Sequence, residues 1–300
     1  MRNFNIALAL YLSALGLYKI MRISIKDIKQ MTKLSIRFCI ERANRAFNAT
    51  RVGGLAGDMI IGGVMNRVEK VKHQGVTMRF AAPNSLCRYR ADSFATKEPD
   101  TLEWIDGLPG ACTLWDVGAN VGLYSVYAAK KRGCKVVAFE PSVFNLELLA
   151  RNLFLNGLQD QVGIVPIALS DGLGMNQMRM SNTEWGGALS GFGHNVDQNG
   201  VPIKAVFEYQ TIGVSMNQAV SLLQLPQPGF LKIDVDGIEH FILRGGHAVL
   251  SQVQSVLIEI NDEFTDQAEE AARHLKNVGL TLYRKCDLGV PNTFNQWWRR

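Results

Sequence analysis

The five cysteines, Cys39, Cys87, Cys112, Cys134 and Cys286, lie far apart, in odd number and without a C-x-x-C pair. That pattern favours neither a zinc site nor a disulfide framework, and it fits a reducing cytosol. The sequence also lacks an apolar run of the ~20 residues that a hydrocarbon core requires. The candidate, Ile6 to Tyr18, is too short and contains Ser13 and Gly16. No A-x-A-like cleavage site follows it before Lys19, so export is not expected even though Arg2 would serve as a charged flank. There is no internal repeat, no low-complexity tract and no interleaving of basic with aromatic residues, which leaves nucleic acid without a recognition motif. What remains is ordinary for a packed globular chain: 300 residues, 47% hydrophobic and 20% charged, enough for a sizeable core.

Charge is unevenly placed. Residues 1–51 hold ten lysines and arginines against Asp27 and Glu41, a net of +8, which leaves −3 for the rest of a chain whose total is +5. Met21, Ile25, Ile28, Met31, Ile36 and Ile40 fall roughly on helical spacing among Arg22, Lys26, Lys29, Lys33 and Arg37. Such a segment suits either of two places: peripheral contact of residues 1–51 with an anionic bilayer surface, or packing on the main domain with a solvated basic face. Gly53-Gly54, Gly57 and Gly62-Gly63 interrupt the helical pattern and mark a joint. The expected division is a basic helical region over 1–65 and a main domain over 66–300.

Val76 to Arg90 reads as short strands with a turn at Pro83-Asn84, and Thr101 to Ile105 as a helix. From Thr113 the patterns alternate: strands at Thr113–Val117, Lys135–Glu140, Gly163–Ala168, Phe230–Asp234, Ser255–Glu259 and Thr281–Arg284. Helices are expected at Gly122–Lys131, Val143–Asn156, Ile238–Arg244, Gly246–Ser251 and Asp266–Asn277. The strands are almost continuously apolar, as strands covered on both faces must be. The fold class is therefore α/β, a doubly wound, mostly parallel sheet with a helical N-terminal extension. Residues 172–228 are too long for a simple connection and suggest inserted strands, with Ile203–Tyr209 as one candidate, or an active-site flap.

Ligands of such sheets sit beyond the carboxyl ends of the strands. The first strand ends in Asp116-Val117-Gly118-Ala119-Asn120-Val121-Gly122, in which Gly118 and Gly122 suit close backbone approach to a ligand and Asn120 tolerates a left-handed conformation. Glu140, in Phe139-Glu140-Pro141, lies 22 residues after Gly118, where an acid can accept two ribose hydroxyls. That spacing alone also fits NAD. The dinucleotide fingerprint G-x-G-x-x-G is absent, however, and Asp116 would repel a pyrophosphate while attracting the ammonium and sulfonium of S-adenosylmethionine. Asp116 has the alternative of capping a helix. Ser170-Asp171 ends the third strand, where a polar group can bond an adenine amino group, or else forms a plain turn with Gly172.

Trp115 to Gly122, Phe139-Glu140-Pro141, Ala168-Leu169-Ser170-Asp171 and Leu231-Lys232-Ile233-Asp234-Val235-Asp236-Gly237-Ile238-Glu239 follow one another in this order. With them the chain resembles the FkbM family of S-adenosylmethionine-dependent methyltransferases. The likeness runs from about Lys97-Glu98-Pro99 to Ile258-Glu259-Ile260-Asn261, and the tail Asn295 to Arg300 is similar to endings of some members. The first 65 residues are not covered. The resemblance implies a Rossmann-like class I methyltransferase fold and O-methylation of a hydroxyl on a sugar, glycan or polyketide. Asp236 departs from it, standing where many relatives carry glutamate.

Read without the family, Asp234, Asp236, Glu239 and His240 cluster at a strand end, and a carboxylate or imidazole there can take the proton that a hydroxyl sheds as it attacks a methyl group. The alternative for Asp234, Asp236 and Glu239 is a divalent cation, less favoured because only one compact acidic cluster is visible. Asp236 and Glu239 have the further alternative of capping the next helix, and His240 of being an ordinary helix residue. Glu259, Asn261, Thr183, Glu184, Trp185 and His194 are candidates for acceptor contact, with Trp185 suited either to a sugar platform or to core packing. Trp297-Trp298 is expected to anchor the C-terminus.

The expected cofactor set is Asp116, Gly118, Ala119, Asn120, Gly122, Glu140, Pro141, Ser170, Asp171 and Asp234, holding S-adenosyl-L-methionine. The expected partner is a small-molecule or glycan acceptor, and the expected compartment the cytoplasm, with membrane association open. The rival functions are a non-catalytic binder of the same nucleoside and an NAD-linked oxidoreductase such as a sugar epimerase.

Overall fold

The computed structural model describes Ser35, Phe38, Cys39 and residues 41–300, so the apolar run Ile6–Tyr18 and most of the basic segment Met21–Ile40 lie outside the described residues. The chain divides into two compact units, Met1–Gly63 and Val64–Arg300. Helix α1 (Arg51–Met65) runs unbroken through all five glycines that were expected to interrupt it. Glycine weakens a helix by about 1 kcal/mol per residue but, unlike proline, puts no steric bar in its way. No helix among the described residues is long and apolar enough to cross a membrane.

In the second unit, strands β1 (Val68–His73) and β2 (Val76–Ala81) form a hairpin. Its turn is Gln74-Gly75, both at positive φ (45° and 81°), as a two-residue hairpin loop demands. Pro83-Asn84, expected as a turn between strands, instead opens helix α2 (Ser85–Asp92), where the Asn84 side chain accepts the Cys87 amide at 2.8 Å as an N-cap. Short helices α3 (Phe94–Lys97) and α4 (Pro99–Asp106) lead to the main sheet.

That sheet is built from β3 (Thr113–Val117), β4 (Lys135–Phe139), β5 (Val162–Val165), β10 (Phe230–Ile233), β11 (Ser255–Asn261), β12 (Thr281–Asp287) and β13 (Thr293–Arg299). Their order is β12-β13-β11-β10-β3-β4-β5, with β13 antiparallel to both its neighbours and all other pairs parallel. Helices α5 (Leu123–Arg132), α6 (Val143–Asn156), α7 (Met216–Ser221), α8 (Glu239–Arg244), α9 (His247–Leu250) and α10 (Thr265–Asn277) complete the chain. This is the Rossmann-like class I methyltransferase architecture that the resemblance implies.

Because side chains alternate along a strand, the two faces carry different cores. Leu114, Val136, Phe230 and Leu257 pack with α4, α5 and α6, whereas Trp115, Val117, Phe139, Ile233 and Ile258 pack with α8 and α10. Asp116 and Lys232 share the first of these faces by the same period.

The strand expected over Gly163–Ala168 is split. Pro166 has no N–H for a ladder, so β5 stops at Val165 and the chain restarts as β6 (Ala168–Ser170) in a separate sheet. The remainder of that sheet is the long insertion: β7 (Gly174–Met180), β8 (Ser190–Phe192) and β9 (Phe207–Ser215), in order β6-β9-β7-β8. The strand read at Ile203–Tyr209 enters the ladder only at Phe207.

The cysteines correct another expectation. Cys112 and Cys134 form a disulfide with Cα atoms 4.5 Å apart, because each immediately precedes one of the paired strands β3 and β4. Twenty-two residues of separation hide a neighbour relation that parallel register creates.

The tail is a sheet strand. The Ser255 hydroxyl donates to the Trp298 carbonyl (2.8 Å) and accepts from the Trp104 and Trp297 indoles (3.0 and 3.1 Å), while the Trp298 ring is 2% exposed. Trp298→Ala should lower unfolding free energy by about 3–5 kcal/mol. Urea denaturation measures it, and a loss below ~1 kcal/mol would show that β13 is not packed in the core.

Candidate active site

A cavity of about 270 Å³ opens at the carboxyl ends of β3, β10 and β11. Two smaller hollows, about 60 and 40 Å³, continue it toward Glu140-Pro141 and then toward Ile167-Leu169, and Gly118 lines all three.

The loop after β3 is held by its own hydrogen bonds. The Gly118 and Ala119 amides both donate to the Phe139 carbonyl (3.0 Å each), Asn120 N–H to Glu140 Oε2 (2.7 Å), Val121 N–H to Asn120 Oδ1 (2.9 Å) and Gly122 N–H to the Ala119 carbonyl (2.8 Å). Asn120 takes φ +51°, the left-handed conformation its residue type allows. The glycines answer to the protein rather than to a ligand. A Cβ on Gly118 would stand 1.8 Å from the Asp234 carbonyl, and one on Gly122 2.4 Å from Leu149 Cδ1. Ala119 and Asn120 line the main cavity; Gly122 does not.

Asp116 is not in the turn. It lies within β3 on the face covered by α5, 1% exposed, and lines none of the three hollows. The Ser125 hydroxyl donates to its Oδ2 at 2.5 Å and its Oδ1 is buried without a partner. Burial raises its pKa against the opposing pull of Lys232 and Ser125. Its expected direct contact with a cationic ligand is therefore corrected: Lys232, its register partner on β10, already faces it.

Glu140 and Pro141 do line the second hollow. The Glu140 carboxyl accepts from the Asn120 and Ser142 amides (2.7 Å each), and burial pushes its pKa up to about 7. Ser170 and Asp171 are elsewhere, because the break at Pro166 carries them into the other sheet. Asp171 pairs with Arg244, the Ser170 hydroxyl donates to Asp171 at 3.4 Å, and neither lines the hollows.

Of the acidic cluster, Asp234 and Asp236 line the cavity and Glu239 and His240 do not. Burial works against ionisation of Asp234, but Lys232 (2.9 Å), Lys97 and Arg90 hold it below its usual range. Asp236, at φ +63°, accepts the Leu189 and Ser190 amides on Oδ2 (2.7 and 3.3 Å). Burial and the charge of Asp234 raise it to about 6. Glu259 joins them and is raised to about 9 by burial and then by Asp234.

Glu239 turns inward, accepting from Val235 N–H (3.1 Å), Gly237 N–H (3.1 and 3.3 Å) and the Gln267 amide, so its role is to hold the loop that carries Asp236. His240 packs on Phe241 and Phe264, with Nδ1 unpartnered and burial lowering its pKa to about 4. Neither is placed to act on a ligand in the cavity. Among the described residues no group of three or more His, Cys, Asp or Glu is arranged for a metal ion.

The acceptor candidates also divide. Trp185 packs against the small cluster of Ala82, Val121 and Leu148, Thr183 and Glu184 are exposed, His194 stacks on Phe241 at 3.7 Å, and Asn261 bonds Asn199 at 2.8 Å. The insertion instead contributes Ala188, Leu189 and Gln198. Its backbone is tied down at Gly187, whose carbonyl accepts from the Asn120 and Asn145 amide groups (2.8 and 3.2 Å).

Arg90, Glu98 and Tyr124 were missed altogether as cavity residues, as were Lys97 and Lys232. Lys97-Glu98 and Lys232 fall inside the quoted likeness and were findable there. Arg90 has no local signal, since only the tertiary fold brings α2 to the strand ends.

The chain matches the family model described as "Methyltransferase FkbM domain" over residues 116–286. It is 30% identical over 149 residues to the hexuronic acid methyltransferase AglP of Haloferax volcanii, covering 49% of this chain and 55% of that protein. It is 38% identical over 71 residues to the methyltransferase sdnD of Sordaria araneosa, covering 23% and 27%. The match thus spans about half of the first relative's length and about a quarter of the second's. A solved methyltransferase FkbM from Methylobacillus flagellatus superposes with TM-score 0.44 at 13% identity, covering 64% of this chain and 44% of that one.

Glu239→Ala leaves the Val235 and Gly237 amides and the Gln267 side chain without their acceptor, and should cost about 2–4 kcal/mol of stability. Thermal and urea unfolding measure this; a change under about 0.5 kcal/mol would remove the structural role assigned to it.

Proposed function

Because the chain belongs to the FkbM methyltransferase family, we propose that it transfers a methyl group from S-adenosyl-L-methionine to a hydroxyl of a sugar, glycan or related small molecule. The observation that carries the donor assignment is the closed hydrogen bonding of residues 118–122. Every amide of that loop already has an acceptor within the protein, so none is left to cradle a diphosphate. A nucleoside without phosphates needs no such cradle. Glu140 fits the ribose hydroxyls and the apolar hollow at Phe139, Pro141, Ile167 and Leu169 fits the adenine. Support for a sugar acceptor comes from the hexuronic acid methyltransferase to which the chain is similar.

The donor supplies an already activated methyl group on its sulfonium. What this chain adds is alignment, charge and proton removal. Asp234, kept ionised by Lys232, is the fixed negative charge beside the transfer site. Asp236 is the general base. Its Oδ2 is engaged by two backbone amides, its Oδ1 bonds nothing among the described residues, and a pKa of about 6 leaves it mostly ionised at neutral pH yet basic enough to take a proton. Glu259, protonated at neutral pH, donates a hydrogen bond to the acceptor or donor instead of repelling it.

Calorimetry should find binding of S-adenosylmethionine and none of NAD. Acceptors are found by supplying labelled donor to glycan-containing extracts, and Asp236→Asn should then lower turnover by about 10²–10⁴ while leaving donor affinity nearly intact. Unchanged turnover would remove Asp236 from the mechanism.

A base must be ionised to act. With Asp236 near 6 and Glu259 near 9, kcat/KM should be constant between about pH 7 and 8 and fall tenfold per unit as pH drops below 6. A profile flat down to pH 5 would exclude Asp236 as the base.

A further inference from the structure

Three cations line the main cavity: Arg90, Lys97 and Lys232. Two are spoken for. Lys232 Nζ lies 2.9 Å from Asp234 and Lys97 Nζ 2.8 Å from Glu98. Arg90 differs from both. Its Nε donates to the Gly186 carbonyl at 2.7 Å, which orients the guanidinium, and its two terminal nitrogens make no hydrogen bond or ion pair among the described residues. It stands on the last turn of α2, and its positive charge reaches both Asp234 and Asp236, lowering each.

An unpaired, half-buried guanidinium with one edge fixed is pre-set for a planar anion, since its remaining N–H groups match the two oxygens of a carboxylate. The surroundings make such a group necessary for any acidic ligand. Asp234, Asp236 and Glu98 would repel a carboxylate entering the cavity, and the two lysines are already neutralised by two of them.

We propose that Arg90 is the carboxylate-binding group of this cavity, receiving either the α-carboxylate of the methyl donor or the carboxylate of an acidic sugar acceptor. This rests on the methyl-transfer reading above and assigns to it a residue that binds substrate without taking part in proton transfer. The two sources share one chemistry and are separable by ligand pairs that differ only in the carboxylate.

The experiment uses the full chain and measures affinity by calorimetry for wild type, Arg90→Gln and Arg90→Lys. One pair is S-adenosylmethionine and its decarboxylated analogue. The other is glucuronic acid and glucose, each titrated into protein saturated with S-adenosylhomocysteine. Wild type should prefer the carboxylated member of one pair by about 10- to 100-fold, the range of a charge-assisted bidentate contact. Arg90→Gln should abolish that preference while leaving the uncharged member within about twofold, and Arg90→Lys should keep only part of it. Loss confined to the first pair assigns the group to the donor, and loss confined to the second assigns it to the acceptor. Equal weakening of both members of a pair would mean that Arg90 acts only through Gly186, and an unchanged preference would mean that it binds neither; each overturns the proposal. Failure of the wild type to bind either nucleoside would instead overturn methyl transfer itself, and the subsite with it.

Discussion

Lys232 is 4% exposed and sits in the middle of a parallel sheet, where an unpaired ammonium would cost several kcal/mol. It is kept charged, above its usual pKa, by Asp234, Asp116 and Glu98 acting against burial, and it lies 5.1 Å from the centre of the Tyr124 ring. The rest of the site is arranged around this ion. Its charge also pulls against the burial that raises the pKa of Asp116, the acid opposite it on β3. It fixes the Asp234 carboxylate, two residues on and just past the end of β10. The Asp234 carbonyl in turn occupies the space that a side chain at 118 would fill, so the loops after β3 and β10 are in direct contact through backbone atoms.

From this centre outward, carboxylates of the same chemical type are sorted by their surroundings. Asp234 has Lys232 beside it, which holds it below its usual range against burial. Asp236 has two backbone amides but also Asp234 as a neighbour, and titrates near 6. Glu259 has burial and several acids but no cation of its own, and holds its proton to about 9. Three different titration behaviours thus follow from environment alone. Glu239 is the counter-example: more deeply buried than these three and raised to about 7, it spends its oxygens on the backbone of the loop that carries Asp236 and on the Gln267 amide.

The main sheet was legible because hydrophobic period and strand length agree with burial on both faces; Thr113–Val117 and Val143–Asn156 have the limits that their patterns predict. Departures occur where a single residue or a distant partner overrides local pattern. Pro166 removes one ladder donor and thereby moves Ser170 and Asp171 away from the cavity and its two side hollows. Cys112 and Cys134 meet only through strand register. Asp116 was read as part of the turn because its side-chain direction depends on alternation within β3, which sequence distance to Gly118 conceals. Asp234, Asp236 and Glu259 were legible as strand-end residues, whereas Arg90 and Gln198 reach the cavity from elements whose docking no local pattern encodes.

The position of β13 has a consequence for how the chain folds. It comes last of the seven strands in sequence but lies between β11 and β12 in space, so β12 joins the sheet only when its hairpin with β13 docks residues 293–299 on β11. Closure of that half of the sheet is then a late, non-local event, whereas β3 and β4, joined by one helix, can pair early. Until docking is complete, β11 presents an open apolar edge of the kind that recruits foreign strands. The kinetic vulnerability of this molecule to aggregation is accordingly concentrated on one side, away from the strands that assemble first.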